Sequence, residues 1–217
     1  MFDFDSSYLN LIKSTKPKLN LQSEIHRKAL LKWLNEWGCR QFSQKDHSQA
    51  SKEIEDWYNE INPHLIPIDR GILSLTDDDF ALIETIYSKL VGKTASERKT
   101  IKGNNSIVTI GPTGTSKILF ALRPHAMIPW DEFIREKYNH DGSANSYCKY
   151  LQEVKGLLEE LSNECKKFSF SIYDLPRILN RPESTLVKLI DEYHWVTISR
   201  NCHVPDDIEF GNWVAWR

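Results

Sequence analysis

The residues best suited to chemistry lie between Gly111 and Arg135, where the chain reads GPTGTSKILFALRPHAMIPWDEFIR. Gly111 and Gly114 bracket a tight turn leading into a helix expected to open near Thr115 or Ser116. Glycine lets a backbone approach a ligand and adopt dihedrals that a Cβ forbids. The N–H groups of Gly114, Thr115 and Ser116 at a helix start would form an anion site reinforced by the helix dipole. The hydroxyls of Thr113, Thr115 and Ser116 and the Lys117 ammonium would add contacts to a phosphate, which position a nucleic acid without reading its sequence. An ordinary turn into a helix is the other reading of these residues. A Walker-type phosphate loop is excluded, because Gly-Lys-Ser/Thr at its spacing is absent. Asp131 follows Pro129-Trp130 and opens a further helix. Two roles are open to it and they are compatible: an N-cap, worth about 1 kcal/mol, and a carboxylate that stabilises developing positive charge or activates water.

In order and spacing this stretch resembles the helix–hairpin–helix DNA glycosylases, the superfamily of endonuclease III and 8-oxoguanine glycosylase. Those enzymes carry a glycine-rich hairpin, a helix opening with Thr or Ser, and an Asp about a helix later that itself opens a helix with Arg in its first turn. The resemblance sets Asp131 at the catalytic aspartate and Arg135 at the arginine that follows. It implies a compact all-α fold with the glycine-rich hairpin between helices. It also implies DNA contacts through Gly111, Thr113, Gly114, Thr115, Ser116, Lys117 and Arg135. The implied reaction is hydrolysis of the N-glycosidic bond of a flipped-out base, with neither metal nor cofactor.

The chain departs from that pattern in three places. The hairpin reads Gly-x-x-Gly, the segment before it (Ile107-Val108-Thr109-Ile110) is β-branched, and the place of a Schiff-base lysine falls at Thr113 or Gly114, with Lys117 one turn too late. The implied enzyme is therefore monofunctional and leaves an abasic site. Its partner would be double-stranded DNA carrying a damaged or modified base, such as the glucosylated hydroxymethylcytosine of phage DNA. A non-catalytic DNA-binding module is the alternative. Trp130 reads as core or as a base-stacking platform. The family places a loop that fills the gap left by the flipped base near Trp37-Gly38-Cys39-Arg40-Gln41-Phe42. Trp37, Arg40 and Gln41 are the candidates there, a plain surface loop being the other reading.

The elements that must position these groups are mostly helical by periodicity. Ile25, Leu30, Leu34 and Trp37 form one stripe, closed by Gly38. Ile54, Trp57, Tyr58 and Ile61 form a second, closed by Pro63. Thr76 and Asp79 make a capping-box pair, with Leu75 stapled on Phe80, and the helix runs through Ile83, Tyr87 and Leu90 to Gly92. Residues 93–106 read as a polar, basic turn or loop, and 107–110 as a short strand or buried coil. Arg123-Pro124 ends the helix after the glycines. A long helix from Ser143 carries Tyr147, Leu151, Val154, Leu158, Leu161 and Cys165, and a last one starts at Pro182 and runs to Tyr193. Trp213 and Trp216 suggest that the C-terminal segment packs.

With 217 residues, 40% of them hydrophobic and 27% charged, the chain suits one helical unit over 1–217. Two lobes, one of the N- and C-terminal helices and one of about 76–140, would place a DNA cleft between them. No apolar run is long enough to span a bilayer, and the acidic start is unlike a signal peptide, so a cytoplasmic monomer is expected. Cys39, Cys148, Cys165 and Cys202 have neither zinc nor iron–sulfur spacing, and read as buried free thiols. The seven histidines show no i, i+4 metal pairing. A net charge of −2 is unusual for a nucleic-acid binder, so any DNA grip must rest on a local basic face and on backbone amides.

Overall fold

Three helix starts around the candidate site are fixed by short-range capping. Thr76 caps α4 (Asp77–Val91), and the Asp79 carboxylate accepts in return from the Thr76 N–H at 2.9 Å. Ser143 caps α7 (Ala144–Lys167) and Asp131 caps α6 (Glu132–Lys137). The computed structural model describes residues 2–43, 45–99, 104–204 and 206, with side chains from Ser6 onward. Trp213, Trp216 and part of the basic turn (100–103) lie outside them. The other elements are α1 (Phe2–Ser14), α2 (Glu24–Glu36), α3 (Ser48–Ile61), β1 (Thr94–Lys99), β2 (Asn105–Thr109), α5 (Gly111–Leu122), α8 (Leu175–Ile178) and α9 (Leu186–His194). A π-helical turn, Trp195–Ser199, extends α9. The protein is mostly helical. No helix among the described residues is long and apolar enough to cross a membrane.

Four local expectations are corrected. Ile25 is 73% exposed; the buried face of α2 runs instead through Arg27, Leu30, Leu31 and Leu34, the i, i+3, i+4, i+7 series with which Ile25 is out of phase. The 93–106 segment is no simple loop. Its first half is β1, antiparallel to β2 with Glu97 opposite Ile107 and Lys99 opposite Asn105, because the β-branched 107–109 run needs a partner for its backbone. Helix α5 begins at Gly111, about one turn before Thr115. Finally, α9 begins after Thr185 rather than at Pro182. The Thr185 hydroxyl accepts from Lys188 N at 3.0 Å and donates to the Pro124 carbonyl at 2.7 Å, and this tertiary bond fixes the start.

The glycine-rich turn therefore lies between β2 and α5. The expected helix before it is absent, since a strand occupies that place. Two aromatic groups meet in one continuous core. Tyr8, Trp33, Trp37 and Phe120 pack between α1, α2 and α5, with Trp33 and Trp37 at 4.5 Å and Trp37 stacked on Phe120 at 5.9 Å. Tyr87, Trp130, Tyr147 and Tyr150 pack where α4 meets α7, with Tyr87 and Tyr147 at 4.8 Å. Such pairs add about 0.5–1.5 kcal/mol beyond burial.

His194 closes the second group. Its Nδ1 lies 2.9 Å from Tyr150 Oη and its Nε2 3.1 Å from Tyr138 Oη, so one ring nitrogen donates and the other accepts. Burial pushes its pKa down to about 4. The unfolded chain thus binds a proton near pH 6.5 that the folded chain refuses until about pH 4. Stability should fall as pH drops through that window, by on the order of 3 kcal/mol in total, and stay flat above pH 7 as far as this group is concerned. Urea unfolding of wild type and His194→Gln at pH 4.5 and 7.5 checks this; the variant should lose most of the difference between the two pH values.

Candidate active site

The residues around Asp131 are assembled from the first turn of α5. Gly111 has φ of +66°, a dihedral a Cβ penalises, and this lets β2 turn sharply into the helix. One carbonyl and two hydroxyls then hold the next segment. The Pro112 carbonyl accepts from Trp130 Nε1 at 3.3 Å and from Tyr87 Oη at 3.4 Å. Ser116 Oγ accepts from Trp130 N at 3.2 Å and lies 3.4 Å from the Trp130 carbonyl. Thr113 Oγ1 accepts from Arg135 Nη1 at 3.1 Å. The Arg135 guanidinium also lies 5.7 Å from the centre of the Trp130 ring, within cation–π range.

Asp131 is thereby pinned on both sides, through Trp130 before it and Arg135 one turn after it. The carboxylate is half-buried. Its Oδ1 accepts from Ile134 N at 2.9 Å, the capping bond. Its Oδ2 accepts from Ser199 Oγ at 2.6 Å, a short, charge-assisted bond. Two donors therefore hold the carboxylate in one orientation. Ser199 lies 68 positions away in sequence in a weakly periodic segment, and no local signal points to it.

The expected phosphate cradle is rearranged. Gly114, Thr115 and Ser116 are buried, so their side chains face protein rather than solvent. Because α5 starts at Gly111, the amides of Thr115 and Ser116 fall within the helix, and those left without helical acceptors belong to Gly111 and Thr113. A Cβ on Gly114 would lie 2.6 Å from Gln41 Nε2 and 3.0 Å from Ile110 Cγ2. That glycine thus serves packing. Thr115 Oγ1 is buried without a partner.

Lys117 is turned inward. Its Nζ donates to the Trp37 carbonyl at 2.6 Å and lies 5.6 Å from the Trp37 ring centre. Arg135 is half-exposed and bonds to Thr113 in the first turn of α5.

The base-pocket candidates are corrected likewise. Trp130 is 1% exposed and Trp37 7%; both are core, because each indole is enclosed by other rings. Gln41 does not project as a plug, since its Nε2 donates to the Ile110 carbonyl at 2.8 Å and its own carbonyl accepts from Ser96 Oγ at 2.6 Å. Arg40 is exposed, and its carbonyl accepts from the Arg98 guanidinium.

A second charged cluster lies on α9. Lys188, almost fully buried, sits 3.2 Å from Asp191 Oδ2, 3.0 Å from Glu192 Oε1 and 5.0 Å from the Trp37 ring centre. Burial by itself would lower the Lys188 pKa; the two carboxylates reverse this and hold it above the usual value. Burial raises the Asp191 carboxyl against the pull of Lys188. Arg181 grips both Glu192 oxygens at 2.8 Å. A cavity of about 240 Å³ adjoins this cluster, lined by Tyr8, Asn180, Arg181, Ser184 and Lys188 among others. Ser199, at Asp131, is about three turns of helix further on, roughly 16 Å, so cavity and carboxylate are separate places.

Among the described residues no group of three or more His, Cys, Asp or Glu gathers as metal ligands would. Cys39, Cys148 and Cys165 are buried and Cys202 is exposed. Comparison of the chain with protein-family models, with curated proteins and with solved structures gives no match, so the site is read from its own geometry.

The inward Lys117 gives a direct test. Lys117→Met strips a donor from the Trp37 carbonyl and should cost about 1–3 kcal/mol of stability. Urea denaturation of wild type and variant gives the reading.

Proposed function

We propose that the protein is a monofunctional DNA glycosylase that hydrolyses the N-glycosidic bond of a flipped-out damaged or modified base and leaves an abasic site. The substrate class that fits a specialised enzyme of this kind is a bulky modified cytosine in phage DNA, such as glucosyl-hydroxymethylcytosine. The observation that carries the reading is the half-buried Asp131 carboxylate at the start of α6, held by Ile134 N and Ser199 Oγ, with its neighbours Trp130 and Arg135 braced by the first two turns of α5. As the base departs, the sugar gains oxocarbenium character at C1′, which a fixed negative charge stabilises without reorganising. The same carboxylate orients the water that adds hydroxyl to C1′, while the departing base takes up a proton.

The α5 terminus supports the DNA contact. The Gly111 and Thr113 amides, with half-exposed Arg135 bonded to the Thr113 hydroxyl, suit a phosphate flanking the extruded nucleotide. The buried Trp130 and Trp37 take no part in holding the base in this reading; they hold Asp131 and the two lysines in place. One observation favours a second reading, a non-catalytic DNA-binding module. Both Asp131 oxygens already have partners within the chain, as they would in a purely structural cap.

Asp131→Asn separates the two. Asn caps a helix as well as Asp does, so the fold should persist and duplex affinity should stay within about twofold. Base release should fall by at least roughly a hundredfold. The assay incubates wild type and variant with DNA containing different modified bases, then measures free bases and alkali-labile sites. Equal release by both proteins would remove Asp131 from the chemistry, and no release by either on any substrate would favour the binding module.

A further inference from the structure

The C-terminal segment reaches the carboxylate through an irregular turn. After α9 the chain opens into the π-helical turn Trp195–Ser199, a form concentrated at functional sites. The Thr197 hydroxyl donates to the Tyr193 carbonyl at 2.7 Å. Such back-bonding by threonine weakens and bends a helix locally. Arg200 N then closes on the Trp195 carbonyl at 2.9 Å and Cys202 N on the Val196 carbonyl at 3.0 Å, while Asn201 ends the turn at φ +47°. The wider turn changes the direction of Ser199 relative to the α9 axis. Its hydroxyl ends 2.6 Å from Asp131 Oδ2.

We propose that Ser199 is a positioning residue for Asp131, and that the π-turn exists to deliver its hydroxyl to the carboxylate; this rests on the glycosylase reading above. The capping bond from Ile134 N fixes Oδ1 but leaves rotation of the carboxylate plane open. The Ser199 bond removes that freedom and orients the remaining lone pairs toward one side. It also draws on elements on which the α5 turn has no hold. Helix α9 is tied at its start to Pro124 by Thr185 and near its end to Tyr138 and Tyr150 by His194, so the hydroxyl approaches from a braced support. A hydroxyl donating to an ionised oxygen is worth more than a neutral hydrogen bond, and Ser199 acts through the Asp131 carboxylate.

The test compares Ser199→Ala, Ser199→Thr, Asp131→Asn and the Ala/Asn double variant, using single-turnover base release, duplex affinity, melting temperature and the carbon-13 shift of the Asp131 side-chain carboxylate. Ser199→Ala should slow base release by roughly tenfold, the scale of one charge-assisted bond. Duplex affinity should hardly change, the melting temperature should fall by a few degrees, on the order of 2–8 °C, and the carboxylate signal should move. Ser199→Thr, which keeps the hydroxyl, should restore most of the rate. The double variant should be no slower than Asp131→Asn, since both changes act through one group. A rate unchanged by Ser199→Ala while Asp131→Asn is inactive overturns the positioning role and leaves the glycosylase reading standing. A carboxylate signal that does not move overturns it as well. Full activity of Asp131→Asn removes the glycosylase role of Asp131 and the inference with it, and the carboxylate shift then shows whether the bond itself forms.

Discussion

The arrangement around Asp131 depends on one contact, the Trp130 backbone N–H donating to the Ser116 hydroxyl. A buried main-chain N–H and C=O need partners, and 128–131 is irregular coil that supplies none of its own. Ser116 Oγ, in the second turn of α5, accepts from the Trp130 N–H while its own proton has the Thr113 carbonyl nearest at 3.1 Å, and the Pro112 carbonyl takes the indole N–H. Trp130 is the largest anchor available to this coil. Once it is enclosed by Tyr87, Tyr147 and Tyr150, the next residue has little choice of position. Losing a buried tryptophan typically costs about 3–5 kcal/mol, so the constraint on Asp131 is backed by more energy than the cap bond alone.

The same economy explains why the glycine-rich segment contributes to the site from inside. Gly111 gives the bend, Gly114 gives room for Gln41 and Ile110, and Thr113 and Ser116 act as hydrogen-bond partners for residues on either side of the aspartate. What faces outward is a short helix terminus beside a half-buried carboxylate. Lys117, at the same time, neutralises a carbonyl in the N-terminal half of the molecule and so ties α5 to the end of α2.

The charged groups of α9 form a separate balance. Lys188 would be expensive to bury alone; Asp191 and Glu192 compensate it, and Arg181 satisfies the far side of Glu192. Breaking one partner of such a network is far more damaging than replacing the whole set by apolar residues. This network and the His194–tyrosine contacts hold α9 against the core, and that in turn brings the π-turn to Asp131.

Much of the fold was readable in the residues. The Thr76–Asp79 box, the Ser143 and Asp131 caps, the Gly38 stop and the stripes of α3 and α7 are short-range signals, and each acts within one turn of its own residue. Asp131 at a helix start could be read for the same reason. Tertiary structure decided the rest. The β-branched run 107–109 became a strand because Thr94–Lys99 lay opposite it, and the glycine turn was drawn into α5. The candidate lysine and tryptophans turned inward because acceptors and rings from distant segments enclosed them. Ser199 reached Asp131 across 68 positions through a winding that apolar periodicity does not encode. Local hydrogen bonds can be read along a chain; which surface a side chain faces depends on what the rest of the chain buries against it.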